Sequence, residues 1–161
     1  VDFSIHDFDQ VNMYLGKPVE VFAAQSDPTG PAEITIKYEN GGVGQVQSFM
    51  NAAPGVPFTS TIDLLGTSGI AHYEFSAVSA TEESSSGNSA GVNSWHVFSS
   101  KGITVNQIQT DDPYGRQIKY FFDQAKNGGK YDLTPTDTAV TALAVSLAAK
   151  TSLKEGRPVK L

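Results

Sequence analysis

A chain of 161 residues has the length of one domain and is long enough to bury a core. Hydrophobic residues at 39% and charged residues at 17% place it among globular proteins and outside the disordered class. A net charge of −6 argues against nucleic acid and anionic membrane partners, and the absence of Cys excludes disulfides and thiolate metal sites.

No run approaches the roughly 18 apolar residues of a membrane span, and no signal peptide is visible. Zero Cys fits a cytoplasmic location. The start at Val1, without Met or a leading strand, reads as a piece of something longer whose missing part lies upstream.

In chain order, Ile5, Phe8, Val11 and Leu15 recur at helical spacing, and Gly16 follows as a stop. Residues 2–15 therefore read as a helix, with Asp2, His6 and Asp9 on its polar stripe. Asp2 and His6 stand one turn apart on one face. A carboxylate beside an imidazole is the minimum equipment for moving a proton near neutral pH. The plainer reading is an ordinary pair of helix residues.

A β-rich middle follows. Val19–Ala24 is a short strand, and the run from Asp27 to Pro31 is a turn. Over Ala32–Tyr38, Ile34, Ile36 and Tyr38 face one way and Glu33, Thr35 and Lys37 the other. Asn40-Gly41-Gly42 predicts a hairpin, and Val43–Phe49 resumes the strand. Residues 52–57, with two prolines, break it. Phe58–Leu65 and Ile70–Phe75 are strands joined by Gly66-Thr67-Ser68-Gly69. Residues 79–94, rich in Ser, Gly and Asn, read as a loop with Glu82-Glu83 solvated. Trp95–Phe98 and Gly102–Ile108 are two more strands. His72 and His96 fall in strands and read as packed or surface histidines.

The last third is helical. Tyr114, Ile118, Phe121, Phe122 and Ala125 keep helical spacing up to Asn127-Gly128-Gly129. Thr134-Pro135-Thr136-Asp137 predicts a helix start, with Thr134 as N-cap and Pro135 in the first turn. Val140, Leu143, Ala144, Leu147 and Ala148 form the stripe expected to pack on a sheet, and Gly156 ends the helix. Pro158–Leu161 adds an edge segment. Trp95 and the aromatics of 114–122 read as core, with Tyr73 and Trp95 kept as candidates for substrate contact.

This order predicts an α+β fold: an open, mostly antiparallel sheet with helices packed on one face. The other face, carrying Ile, Val and Tyr, is a natural surface for a homo-oligomer.

Three segments together resemble the C-terminal domain of the Gfo/Idh/MocA oxidoreductases, sugar and polyol dehydrogenases of the inositol dehydrogenase type. The first is Asp2-Phe3-Ser4-Ile5-His6-Asp7-Phe8-Asp9 followed by Leu15-Gly16. The second is the Asn40-Gly41-Gly42 hairpin with Leu65-Gly66-Thr67-Ser68-Gly69. The third is Tyr120-Phe121-Phe122-Asp123, with Asp137, Ala142 and the tail from Ser152 through Gly156 to Val159. The family's dinucleotide fingerprint is absent, since Gly41-Gly42-Val43-Gly44 sits in a hairpin. Its Glu-Lys-Pro motif is absent too, and Lys17-Pro18 follows a Gly.

The resemblance implies residues 1–161 as a single substrate-binding and oligomerisation domain, similar in fold to the C-terminal domain of glyceraldehyde-3-phosphate dehydrogenase. It lacks its N-terminal Rossmann domain and is inactive alone. It implies oxidation of a secondary hydroxyl on a sugar or polyol, with NAD or NADP bound by the full-length protein and not by this domain. His6 would be the acid/base. Asp2 would orient it or hold a neighbouring hydroxyl. Asp7 and Asp9 would cap the helix or face the domain junction. A metal held by Asp2, His6 and Asp9 is disfavoured, because Asp9 lies nearly two turns from Asp2 and no second His is near. The same fold also serves as a non-catalytic ligand sensor or oligomerisation module.

Overall fold

The computed structural model describes residues 4–49, 51–53, 56–76, 92–106, 108 and 112–161. The elements are α1 (Ile5–Leu15), β1 (Pro18–Gln25), β2 (Ala32–Tyr38), β3 (Val43–Ser48), β4 (Thr59–Gly66), β5 (Gly69–Ser76), β6 (Val92–Ser99), β7 (Gly102–Asn106), α2 (Pro113–Asn127), α3 (Thr136–Glu155) and β8 (Val159–Lys160). The class is α+β, and every strand pair is antiparallel. The strands are shared between two four-stranded sheets, where the sequence suggested one continuous meander. Sheet A has the order β3-β2-β1-β8 and sheet B the order β4-β5-β6-β7. The chain divides likewise into two compact units, Val1–Ala52 with Phe121–Leu161, and Ala53–Tyr120. Sheet A ends and sheet B begins across a segment with two prolines, which lack the N–H a ladder needs.

In the first unit, β2 alternates as its sequence demands. Ala32, Ile34, Ile36 and Tyr38 are buried, and Glu33 and Lys37 face outward. The β2–β3 hairpin closes where Tyr38 N–H donates to the Gly42 carbonyl at 3.0 Å and Gly41 N–H donates to the Tyr38 carbonyl at 3.0 Å. Gly41 takes φ 86°, a conformation that side chains with a Cβ resist. Helices α1 and α3 cover the inner face, and Phe8, Val21, Ile34, Ile36, Val145 and Ala149 form the centre of the core. The approach of α1 needs Gly44 on β3, where a Cβ would lie 2.5 Å from Val11. The outer face of sheet A is mostly polar, with Phe22 and Val43 also exposed on it. Gln47 donates to Glu33 there, and Lys37 pairs with Glu20 at 2.6 Å. The Ile, Val and Tyr expected on an open face are, in this sheet, already under helices.

Helix α3 starts one residue later than expected. Pro135, extended at φ −67° and ψ 141°, is the N-cap, and no side chain caps the end. Thr134 is instead held in a turn by its N–H to the Tyr131 carbonyl. Gly156 ends the helix in the left-handed region, as expected. The buried face differs in part from the one predicted, sharing Ala148 with it. It carries Ala142, Val145, Ser146, Ala148, Ala149 and Ser152, while Val140, Leu143 and Leu147 are 60%, 50% and 57% exposed. Small side chains let the helix lie close against β1, and the larger aliphatic row is left outside.

In the second unit, sheet B is a simple meander. Gly66 pairs with Gly69 at the β4–β5 turn, and Ser99 with Gly102 at the β6–β7 turn. Strand β6 begins at Val92, so the Ser-rich loop is shorter than read. The rest of that loop, with Glu82-Glu83, lies outside the described residues. No described side chain of this unit is fully buried. Trp95 is therefore not core, and by their own exposure neither are the aromatics of α2. Tyr114, Ile118, Phe121 and Phe122 keep their helical stripe but are exposed, because helical period supplies a face and not the element that covers it. Phe121 packs against Phe122 and Tyr131, with ring centroids 6.0 and 5.7 Å away.

Candidate functional site

The first candidate site is carried by α1, and several contacts fix that helix. Its stripe of Ile5, Phe8, Val11 and Leu15 packs into the core of the first unit. Asn12, buried on the same side, accepts a hydrogen bond from the Tyr38 hydroxyl at 2.9 Å. Burial pushes the Tyr38 phenol up to about 12, so it stays a donor at any ordinary pH. At the far end, Asn40 Nδ2 donates to the Leu15 carbonyl at 3.0 Å, and its Oδ1 accepts from Gly42 N–H at 2.9 Å. One side chain thus satisfies an orphan helix carbonyl and shapes the β2–β3 turn. Lys17 pairs with Glu39 at 3.1 Å across the same junction, a structural task that accounts for Lys17-Pro18.

His6 lies on the exposed side of this anchored helix, and Asp9 is exposed beside it. Asp2 lies outside the described residues, so its pairing with His6 is not described. Asp7 is half-buried next to His6. Burial raises its carboxyl above the usual range, and the charge of His6 pulls the other way with smaller effect. The hydroxyl of Ser4, one turn before Phe8, is fully buried, and the Ser4 carbonyl accepts the first helical bond from Phe8 N–H at 2.9 Å. What α1 offers chemically is an accessible imidazole on a rigid support.

A second group of titratable residues lies on sheet B. Asp63 on β4, His72 on β5 and His96 on β6 stand opposite one another in a cross-strand row. His72 Nδ1 is 2.7 Å from Asp63 Oδ1, and Nε2 is 3.9 Å from Glu74 Oε2. The hydrogen bond that His72 donates to Asp63 leads in raising the imidazole above its ordinary value, against a smaller opposing effect of desolvation. His96 stacks on Phe98 at 6.1 Å. Sequence reading took the two histidines separately and missed this pair. The signal was available, since Asp63 lies three residues before Gly66 and His72 three after Gly69. Tyr73 faces Trp95 across β5 and β6 on the opposite side of the sheet. Among the described residues no three His, Asp or Glu side chains converge as metal ligands would. Nor does any described helix have the length and apolarity to cross a membrane.

The glycines at 41, 42 and 44 build the β2–β3 hairpin, and no helix follows them. They do not form the strand-to-helix phosphate cradle of a dinucleotide-binding motif.

A protein-family profile described as "Oxidoreductase family, C-terminal alpha/beta domain" matches residues 1–161. No curated protein matches the chain by sequence. Among solved structures, an oxidoreductase from Thermotoga maritima is similar at TM-score 0.73 and 18% identity, covering 98% of this chain and 45% of that one. The UDP-N-acetylglucosamine 3-dehydrogenase GnnA from Acidithiobacillus ferrooxidans is similar at TM-score 0.69 and 14% identity, covering 94% and 45%. The WlbA dehydrogenase from Bordetella pertussis, solved with NADH and UDP-GlcNAcA, is similar at TM-score 0.62 and 14% identity, covering 99% and 43%. At these identities the likeness is one of fold. The chain spans less than half the length of these three structures.

Proposed function

Because the chain belongs to the Gfo/Idh/MocA oxidoreductase family, as its C-terminal alpha/beta domain, we propose that it is the substrate side of a cytoplasmic NAD(P)-dependent dehydrogenase that oxidises a secondary hydroxyl of a sugar or polyol. The observation that carries this reading is the match over all 161 residues, with His6 exposed on a helix held by the core. Nucleotide sugars are the first substrates to try, since one neighbour of the same fold is named for a nucleotide sugar and another was solved with one.

In this reading the part played by the chain is proton handling. His6 takes the proton of the reacting hydroxyl, a task for which an imidazole is suited near neutral pH. Asp2 orients His6 or binds an adjacent hydroxyl. NAD or NADP is held by a Rossmann domain that this chain does not contain, so the isolated chain is expected to be inactive. It self-associates through an uncovered sheet face.

The test is kinetic. In the parent protein carrying both domains, His6→Ala should lower kcat by about 10²- to 10⁴-fold, the usual weight of a general acid or base, with binding of the cofactor unchanged. A variant that retains near-normal kcat would sink the catalytic assignment and leave the ligand-sensing reading of the fold.

A further inference from the structure

Asn is followed by Gly at two places in the chain, Asn40-Gly41 and Asn127-Gly128. Such a pair carries its own reagents. The backbone nitrogen of the glycine can attack the side-chain amide carbon of the asparagine, and glycine has no Cβ to obstruct the approach. Both pairs are exposed, and both glycines sit at positive φ, 86° at Gly41 and 58° at Gly128. Exposure and glycine conformation therefore do not tell the two apart. Their hydrogen bonds do.

Three bonds hold the first pair. Gly41 N–H donates to the Tyr38 carbonyl at 3.0 Å, so the nitrogen that would attack is engaged. Asn40 Nδ2 donates to the Leu15 carbonyl at 3.0 Å, and Oδ1 accepts from Gly42 N–H at 2.9 Å. The carbon that would be attacked is thus fixed from both sides. The second pair has no such hold. Among the described residues no hydrogen bond engages the Asn127 carboxamide or the Gly128 N–H. The bond that lies beside it runs from Gly129 N–H to the Gln124 carbonyl at 3.0 Å and closes α2. Asn127 is the last residue of that helix, and local opening costs least at a fraying end.

We propose that Asn127 is a site of spontaneous modification, converted in the folded chain to aspartate and isoaspartate, and that the β2–β3 turn protects Asn40 from the same reaction. Hydroxide removes the proton of the Gly128 nitrogen, which then attacks Asn127 Cγ. A new C–N bond forms, the bond from Cγ to Nδ2 breaks, and Nδ2 leaves as ammonia with a proton from water. The product is a cyclic succinimide, which water opens at either carbonyl. Opening at Cγ restores the ordinary main chain as aspartate. Opening at the backbone carbonyl leaves the main chain running through the side chain, as isoaspartate. Water is consumed and ammonia released, and nothing is oxidised or reduced. Either product puts a negative charge at the C-terminal end of α2, where the helix dipole opposes it. Isoaspartate also inserts a methylene into the main chain between α2 and α3. The link between those helices is the part of the molecule that the reaction alters.

Peptide mapping by mass spectrometry, on the full chain held at mildly alkaline pH, tests the proposal. The peptide with Asn127 should gain the mass of an amide-to-acid change at least about tenfold faster than the peptide with Asn40, because three hydrogen bonds must open together at Asn40. Chromatography should resolve the gain into aspartate and isoaspartate forms. In denaturant, where the turn is gone, the two peptides should convert at similar rates. Asn127→Gln, a mild change at an exposed helix end, should remove the gain from its peptide. Equal rates in the folded chain overturn the proposal, and so does faster conversion at Asn40. An Asn127 that stays intact in the folded chain but converts in denaturant overturns it as well. A contrast that persists in denaturant refutes the turn as the cause, and a gain that survives Asn127→Gln refutes the site. Mass is read and not turnover, so the result stands apart from the role of His6.

Discussion

Ser152 shows how one buried hydroxyl can join three pieces of chain. Its Oγ accepts from Ala23 N–H at 2.9 Å and donates to the Arg157 carbonyl at 2.7 Å. Strand β8 pairs with β1 only at Glu20 and Val21, so Ala23 N–H lies beyond its reach. The Ser152 side chain takes that place, and it also fastens the chain leaving α3. Ser152→Ala leaves a buried amide and a carbonyl unpaired. It should cost about 1–3 kcal/mol in a chemical denaturation series, the penalty for a buried polar group without a partner. A loss below about 0.5 kcal/mol, the range of an ordinary surface change, would refute this role. Asp7 is the contrasting case. Its carboxyl is raised by burial, so its ionisation opposes folding. Below the unfolded value of about 3.8 the group is neutral in both states and costs nothing. As pH rises through the folded value, stability is lost. Asp7→Asn should therefore raise Tm at neutral pH and leave it unchanged near pH 3. An equal gain at both would count against desolvation as the cause. The helical spacing before Gly16 was enough to place His6 on the polar side of α1. The buried bond from Tyr38 to Asn12, and the stitch through Ser152, could not be read, because both partners are far apart in the chain.

At the scale of elements, alternation in β2 and the Asn40-Gly41-Gly42 turn were legible because each is dictated locally. Helix α3 was not, for a physical reason. It is apolar on more than one side, so hydropathy offers two stripes and prefers the larger side chains. Packing prefers the smaller ones, since Ala142, Ala149 and Ser152 allow the helix axis to approach the sheet. Two substitutions separate the faces. Ala149→Leu forces extra volume into a fully buried position and should destabilise the chain by about 1–3 kcal/mol. Leu147→Ser, on the exposed row, should change stability by less than about 0.5 kcal/mol. Thermal denaturation of both variants decides the matter, and the reverse ranking would mean that the larger row is the one packed. Helix α2 teaches the same lesson from the other side. Its aromatic stripe was read correctly as a stripe, but no described element buries it.

At the scale of the whole molecule, burial is distributed unevenly between the two units. Every buried side chain among the described residues belongs to the unit of α1, α3 and sheet A. Among its described residues, the unit of sheet B has its ladders and half-covered side chains and no fully buried centre. Backbone hydrogen bonds add modest net stability, and apolar burial supplies most of the driving force. Sheet B should therefore open at lower denaturant than sheet A. The chain carries its own reporters for the two units. Its one tryptophan, Trp95, lies on β6 of sheet B, whereas α1 and α3 lie in the other unit. In urea, Trp95 fluorescence should change at a lower midpoint than the helical signal at 222 nm. Non-coincident transitions are the mark of a chain that is not two-state. Coincident transitions would show instead that the two units unfold as one.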